Sequence, residues 1–92
     1  MKHSLDSGTQ IVYVPLHAQG NANHPDAEEG FIFAIHASNP NLVHCRFWNK
    51  RSPSELRTKA NSELCNTERL HFVDTRPQED VDAMIKWIIN QE

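Results

Sequence analysis

The sequence predicts an α+β domain, mainly β: a small barrel of four or five short strands with one amphipathic helix at the C-terminus. Three observations predict it. Runs rich in β-branched and aromatic residues recur at 11–16, 31–37 and 42–48. A strong turn signal, Ser38-Asn39-Pro40-Asn41, separates the last two. Near the C-terminus, Val81, Met84, Ile85 and Ile88 fall at i, i+3, i+4 and i+7, with Ile89 widening the stripe.

Residues 1–10 are polar and carry Gly8, so a loose N-terminal arm is expected before a single domain over 11–92. That domain divides into a barrel over 11–73 and a helix over 76–90. The first strand ends near Pro15, which has no N–H to give to a ladder. Residues 17–29 form a long loop of turn formers, and loops of that size in compact domains are often functional. Gly30 opens the second strand. A turn centred near residue 40 pairs positions that sum to 80: Ala37 with Val43, Ile35 with Cys45, Phe33 with Phe47. These six are apolar or small and read as the core face. The alternate face sets His36 opposite His44, Ala34 opposite Arg46 and Ile32 opposite Trp48, and is expected to meet solvent. A slip of one residue would carry His and Arg inward, so the pattern sets the register.

Residues 49–61 form a polar, basic connection. Ser52-Pro53-Ser54-Glu55 has the form of a helix start of at most one turn, and Arg57-Thr58-Lys59 reads as a short strand. Two further short strands fit 62–66 and 71–73, with a single helical turn at 67–70 between them. Thr75 and Gln78 have the spacing of a capping box around Pro77, and Glu79, Asp80 and Asp82 suit the positive end of the helix dipole. Trp87 lies off the apolar stripe, at a position that covers a barrel rim, makes a subunit contact or packs on its own domain. A meander this short curls into an SH3-like barrel with the helix packed against it.

Ninety-two residues make one small domain with a thin core. No apolar run approaches a membrane span, and Met1-Lys2-His3-Ser4-Leu5-Asp6 lacks the apolar stretch of a signal peptide, so a cytoplasmic protein is expected. The net charge of −3 argues weakly against bulk nucleic-acid binding. The charge is uneven: residues 46–59 hold five bases and one acid, whereas 74–92 hold five acids and two bases. Cys45 and Cys65 are the only cysteines. Their spacing makes no zinc knuckle, and a stable disulfide is not expected in the cytoplasm. Cys45 falls in an apolar alternation and reads as core.

The segments Tyr13-Val14-Pro15-Leu16-His17-Ala18, Asn23-His24-Pro25-Asp26-Ala27-Glu28-Glu29-Gly30 and Val43-His44-Cys45-Arg46-Phe47 carry a pattern of the form YVPxHAxGxxxHPDxExG. In this the chain resembles a group of small uncharacterised bacterial proteins of phages, plasmids and integron gene cassettes. The similarity spans residues 11 to about 73, with 64–70 as its closing part. The group's pattern often has Cys where Ala27 stands here, and the terminal helix is less typical of it. The resemblance implies a cytoplasmic, mobile-element protein with an SH3-like barrel, and implies no activity.

Three functional readings follow, and none needs a cofactor. The outward hairpin face gathers Ile32, His36, His44, Arg46 and Trp48, with Lys50, Arg51, Arg57 and Lys59 close behind in sequence. The first reading is a non-enzymatic module that binds a protein partner or self-associates through this surface or through Trp87. The second is a nucleic-acid binder using Arg46, Trp48, Lys50, Arg51, Arg57 and Lys59, since aromatic and basic groups together stack bases and hold phosphates. Trp48 has a competing fate: cover by the 49–61 segment or by the helix of its own chain. The third is a metal site at His17, His24 and Asp26, whose spacing matches no established motif. No nucleophile, base and orienting group assemble in sequence, and with glycine only at positions 8, 20 and 30 there is no phosphate loop.

Overall fold

The computed structural model describes residues 5–52, 54–57 and 61–91. Five strands form one antiparallel sheet: β1 (Gln10–Tyr13), β2 (Glu28–Ile35), β3 (Leu42–Phe47), β4 (Glu63–Asn66) and β5 (Leu70–Phe72). Their order is β4-β3-β2-β1-β5. The helix α1 (Gln78–Gln91) follows, and two 3-10 turns lie at Leu16–Ala18 and Thr67–Arg69. The fold is mainly β, a curled half-barrel with one C-terminal helix, consistent with a small SH3-like α+β domain.

Two cores lie on opposite faces of the sheet. Ile11, Ile32, Val43, Cys45, Phe47 and Cys65 form one, with Tyr13 and Leu70 packed against it. Phe31, Trp48, Leu56, Val81 and Ile88 form the other, flanked by Phe33, Met84 and Ile85. Phe31 and Ile32 are neighbours in β2, and side chains alternate along a strand, so β2 buries both of its faces. A smaller cluster of Val12, Val14 and Ala18 anchors the start of the long loop.

This double burial corrects the predicted hairpin. Ile32 is fully buried opposite Cys45 and does not face solvent. Ile35 pairs with Val43, so β2 advances three residues where β3 advances two, and Phe33 is the extra residue of a bulge. The connecting loop runs from 36 to 41, and its N-terminal residue organises it: His36 Nδ1 accepts from the backbone N–H groups of Ser38 and Asn39 at 3.2 and 3.0 Å. Val43, Cys45 and Phe47 are core, as the alternation in β3 predicts.

Other elements also shift. Gly8, Thr9 and Gln10 are buried, and the Gly8 N–H donates to the Ile32 carbonyl at 2.7 Å, so the chain joins the domain at Gly8 and not at residue 11. The single turn expected after Ser52 is present as one hydrogen bond, from the Glu55 N–H to the Ser52 carbonyl at 2.9 Å, and no helix follows it among the described residues. A bridge between Trp48 and Leu56 closes this segment, and Asn49 Oδ1 accepts from the Arg51 N–H at 2.9 Å. Pro53, Thr58 and Lys59 lie outside the described residues. The helix starts at Gln78 without a Thr75 capping box, because the Gln78 side-chain amide donates to the Gly8 carbonyl at 2.7 Å. Val81 and Ile88 are the buried residues of α1, and Ile89 is 56% exposed, so the stripe is narrower than its sequence suggests. Two fully buried aliphatic side chains contribute about 1.5–3 kcal/mol each, enough to dock a 14-residue helix.

Gly30 faces Phe47 across the β2–β3 ladder, where an added Cβ would overlap the Arg46 carbonyl and come within 2.9 Å of the Phe47 ring. Gly20, at φ +78°, has open space around it. Gly30→Ala should destabilise the fold by about 3 kcal/mol through overpacking against backbone. Gly20→Ala should cost only about 1 kcal/mol, the penalty of the left-handed conformation. Urea unfolding of both variants checks the ranking.

Candidate functional site

Trp48 begins the site. Its N–H donates to the Glu29 carbonyl at 2.9 Å, its ring packs on Phe31 with centroids 5.5 Å apart, and Leu56 lies beside it. It is 7% exposed, so the predicted outward Trp48 is instead a wall residue under its own loop and helix. The Arg76 guanidinium lies 4.0 Å above the Trp48 ring, a cation–π contact. Gln10 holds Arg76 there. The Gln10 side-chain amide donates to the Arg76 carbonyl at 2.7 Å, and its oxygen accepts the Arg76 N–H at 3.0 Å.

Between this platform and α1 runs a groove of about 570 Å³. Trp48 and Leu56 line it with Ala83, Met84 and Trp87 of the helix, and its charged lining residues are Glu55, Arg76 and Asp80. Trp87 is 50% exposed. Among the described residues the lining is mostly apolar and carries the carboxylates of Glu55 and Asp80 and a guanidinium that is already seated on Trp48.

The other predicted surface residues do not assemble. Arg46 is 4% exposed, with its guanidinium 4.9 Å from the Phe33 ring centroid. Its aliphatic stem and planar head fit the β2–β3 surface, so it is buried where the alternation predicts solvent. Arg57 bridges Glu28 at 2.9 Å and Glu63 at 3.0 Å and lies over the Phe47 ring. These carboxylates, Glu63 first, hold its pKa above the usual arginine value. Lys50 Nζ donates to the Pro25 carbonyl at 2.5 Å, and Arg51 is exposed. His36 and His44 stack with centroids 6.0 Å apart, although His44 pairs in register with Ala34. Lys59 lies outside the described residues.

Two further clusters form. The β3–β4 register sets Val43 opposite Cys65 and Cys45 opposite Glu63, so both thiols enter one core as free cysteines, and the Cys65 thiol donates to the Glu63 carbonyl at 3.7 Å. The neighbouring Cys65 thiol, then burial, pushes the Cys45 thiol up. Cys45 in turn draws Cys65 down, against burial and the charges of Glu63 and Glu28. In the long loop, His17 Nε2 donates to Asp26 Oδ2 at 2.7 Å, and the His17 and His24 rings meet edge to face at 5.2 Å. The loop is a chain of tight turns with Gln19 and Gly20 in left-handed conformations.

Compared with protein-family models, curated proteins and solved structures, the chain has no match. Function is therefore argued from the site itself. Gln10, Leu56, Arg76 and Met84 belong to that site and were not singled out for it in the sequence. Only Met84, in the helical stripe, carried a signal there; the clamp between Gln10 and Arg76 joins residues 66 positions apart.

Two expectations follow from this geometry. Gln10→Ala leaves the Arg76 backbone groups without their partners at a half-buried position, so stability should fall by about 2 kcal/mol, with Tm down by roughly 10 °C. A Trp fluorescence change should accompany it as Arg76 leaves the indole. Asp26 is held below its ordinary carboxyl value of 3.8, chiefly by the His17 hydrogen bond. A depressed folded-state pKa gives stability that is present above the unfolded value and lost as pH falls through the folded one. NMR titration should show the Asp26 carboxyl titrating below its ordinary range, and His17→Gln should return it there.

Proposed function

We propose that the protein is a non-enzymatic binding module that receives an apolar anchor side chain from a protein partner in the Trp48–Trp87 groove. The observation that carries this is Trp87: half exposed on the edge of a groove that Trp48, Leu56, Ala83 and Met84 line with apolar surface. Tryptophan is enriched among residues that dominate binding energy, because a rigid aromatic surface loses little entropy on contact. Asp80, exposed on the first turn of α1, favours a basic residue beside the anchor. The partner segment is thus apolar and basic. Cytoplasmic location and origin on a mobile element, as the resemblance implies, belong to the same reading. No described helix is long and apolar enough to cross a membrane.

The nucleic-acid reading has less support. Arg46 and Trp48 are buried, Arg57 is ion-paired and Lys50 is bound to a carbonyl.

A random peptide library displayed on phage tests the proposal. Selection on the wild-type chain should enrich sequences that pair an aromatic or large aliphatic residue with Lys or Arg. Trp87→Ala should lose at least about tenfold in affinity for them, as a central aromatic contact does, while keeping its melting temperature within a few degrees. No enrichment, or enrichment indifferent to Trp87→Ala, overturns the reading. Light scattering at low and high salt identifies a second copy as the occupant if a dimer present at both is lost in Trp87→Ala. Titration with single-stranded oligonucleotides should show no binding whose affinity falls steeply with salt.

A further inference from the structure

The loop between β1 and β2 holds a second site, independent of the groove. We propose that His17, His24 and Asp26 bind one divalent transition-metal ion of the zinc class. Each offers one ligand atom, and the three atoms lie within 4.8 Å of one another. Ligands on a tetrahedral zinc ion stand about 3.3 Å apart, given bonds of about 2.0–2.1 Å. A closure of about 1.5 Å, within reach of side-chain rotation, completes the site.

Three features of the loop support this reading. The backbone is preorganised: the His24 N–H donates to the Asn21 carbonyl at 3.0 Å, and the Ala27 N–H donates to the His24 carbonyl at 2.9 Å. Ala18 fixes the loop's start by packing with Val12, Val14, Ala27 and Val73. A ligand set held this way loses little entropy on binding. The second feature is what the loop does without an ion. His17 and Asp26 side chains are each 61% exposed, and exposed ion pairs contribute little to stability. The His17–Asp26 pair therefore adds little to folding. The third feature is donor type. Two imidazoles and one carboxylate suit zinc, copper or nickel, whereas magnesium and calcium take oxygen sets.

The protons have places to go. His17 carries its proton on Nε2 toward Asp26, and an ion taking that position moves it to the other nitrogen of an exposed ring. His24 Nδ1 accepts the Asp26 N–H at 3.0 Å. Ligation through Nδ1 breaks that bond directly. Ligation through Nε2 breaks it by placing the ring proton on Nδ1. Either route releases the Asp26 amide, and Lys50 at the Pro25 carbonyl adds a repelling charge nearby. Three protein ligands leave a fourth position for water.

Zinc titration of the full chain, followed by calorimetry and 15N NMR, tests the site. The expected result is one ion per chain, shifts at His17 and His24, a moved Asp26 amide resonance and a raised Tm. His17→Gln, His24→Gln and Asp26→Asn should each weaken binding at least tenfold. All three lie on the exposed or half-buried loop, and circular dichroism confirms that each variant folds. A His36→Gln/His44→Gln double variant should bind as wild type. Absence of binding at millimolar zinc overturns the proposal, as does binding that the three loop variants leave unchanged or that the double variant abolishes.

Discussion

The constraint on which this structure depends is the connection from β4 to β5. These strands lie at opposite edges of a five-stranded sheet, with β3, β2 and β1 between them. In a flat sheet four strand spacings would separate them by about 19 Å. Yet β4 ends at Asn66 and β5 begins at Leu70. Even fully extended, four links of chain span only about 14 Å. A 3-10 turn spans less still, at about 2.0 Å per residue. The sheet therefore has to curl until its edges approach. The turn that closes it is well held: Asn66 Oδ1 accepts from the Glu68 N–H at 2.9 Å, the Thr67 N–H donates to the Asn41 carbonyl at 2.9 Å, and the Val14 N–H donates to the Arg69 carbonyl at 2.8 Å. The curl creates the inner core, and it places Cys45, Cys65 and Phe47 together in it.

A curled sheet of this size encloses only one small core, and β2 supplies the second. Alternation along the strand buries Ile32 inward and Phe31 outward, ahead of the bulge at Phe33. Phe31 is then the floor on which Trp48, Leu56 and α1 assemble. The groove is a consequence of that assembly. A helix docked by Val81 and Ile88 on a platform of Trp48 and Phe31 leaves its adjacent face, Ala83 and Trp87, beyond the reach of the barrel. Arg76 and Gln10 fix the remaining wall by hydrogen bonds and stacking, so the groove has a defined shape without a ligand.

Much of the fold was legible because strand and helix periods are local. The four-residue β4, the 3-10 turn after it and β5 all fall within a residue or so of their predicted places, and Cys45 and Val43 are core as the alternation in β3 requires. What was not legible depends on partners far along the chain. The alternation across the hairpin implies one buried and one wet face, which holds for an open sheet. Here α1 covers the second face, so Trp48 is buried with Phe31, Val81 and Ile88, while the bulge at Phe33 leaves Ile32 in the inner core opposite Cys45. No local signal announces that cover; it follows from where the C-terminal helix docks. The candidate groove was legible in part for the same reason. Trp87 stood out by lying off the stripe, whereas Gln10 and Arg76 became relevant only when the fold brought them together.

The fold also redistributes the charge that the sequence displays. The basic segment 46–59 looks like the surface most able to attract a polyanion. Arg46 is removed from it by burial, and Arg57 is neutralised by Glu28 and Glu63, both of which lie outside the segment. The acids of the C-terminal segment fare differently. Glu79, Asp80 and Asp82 occupy the first turns of α1, where they stabilise the helix dipole and remain exposed. Burial of Arg46 and pairing of Arg57 therefore thin the positive field of the basic segment, while the carboxylates at the start of α1 stay exposed on the element that bears Trp87. A partner approaching the groove meets carboxylates before it meets the apolar lining. That order of encounter suits a basic, apolar-anchored segment, and it opposes the phosphate backbone that the basic run in the linear sequence invites.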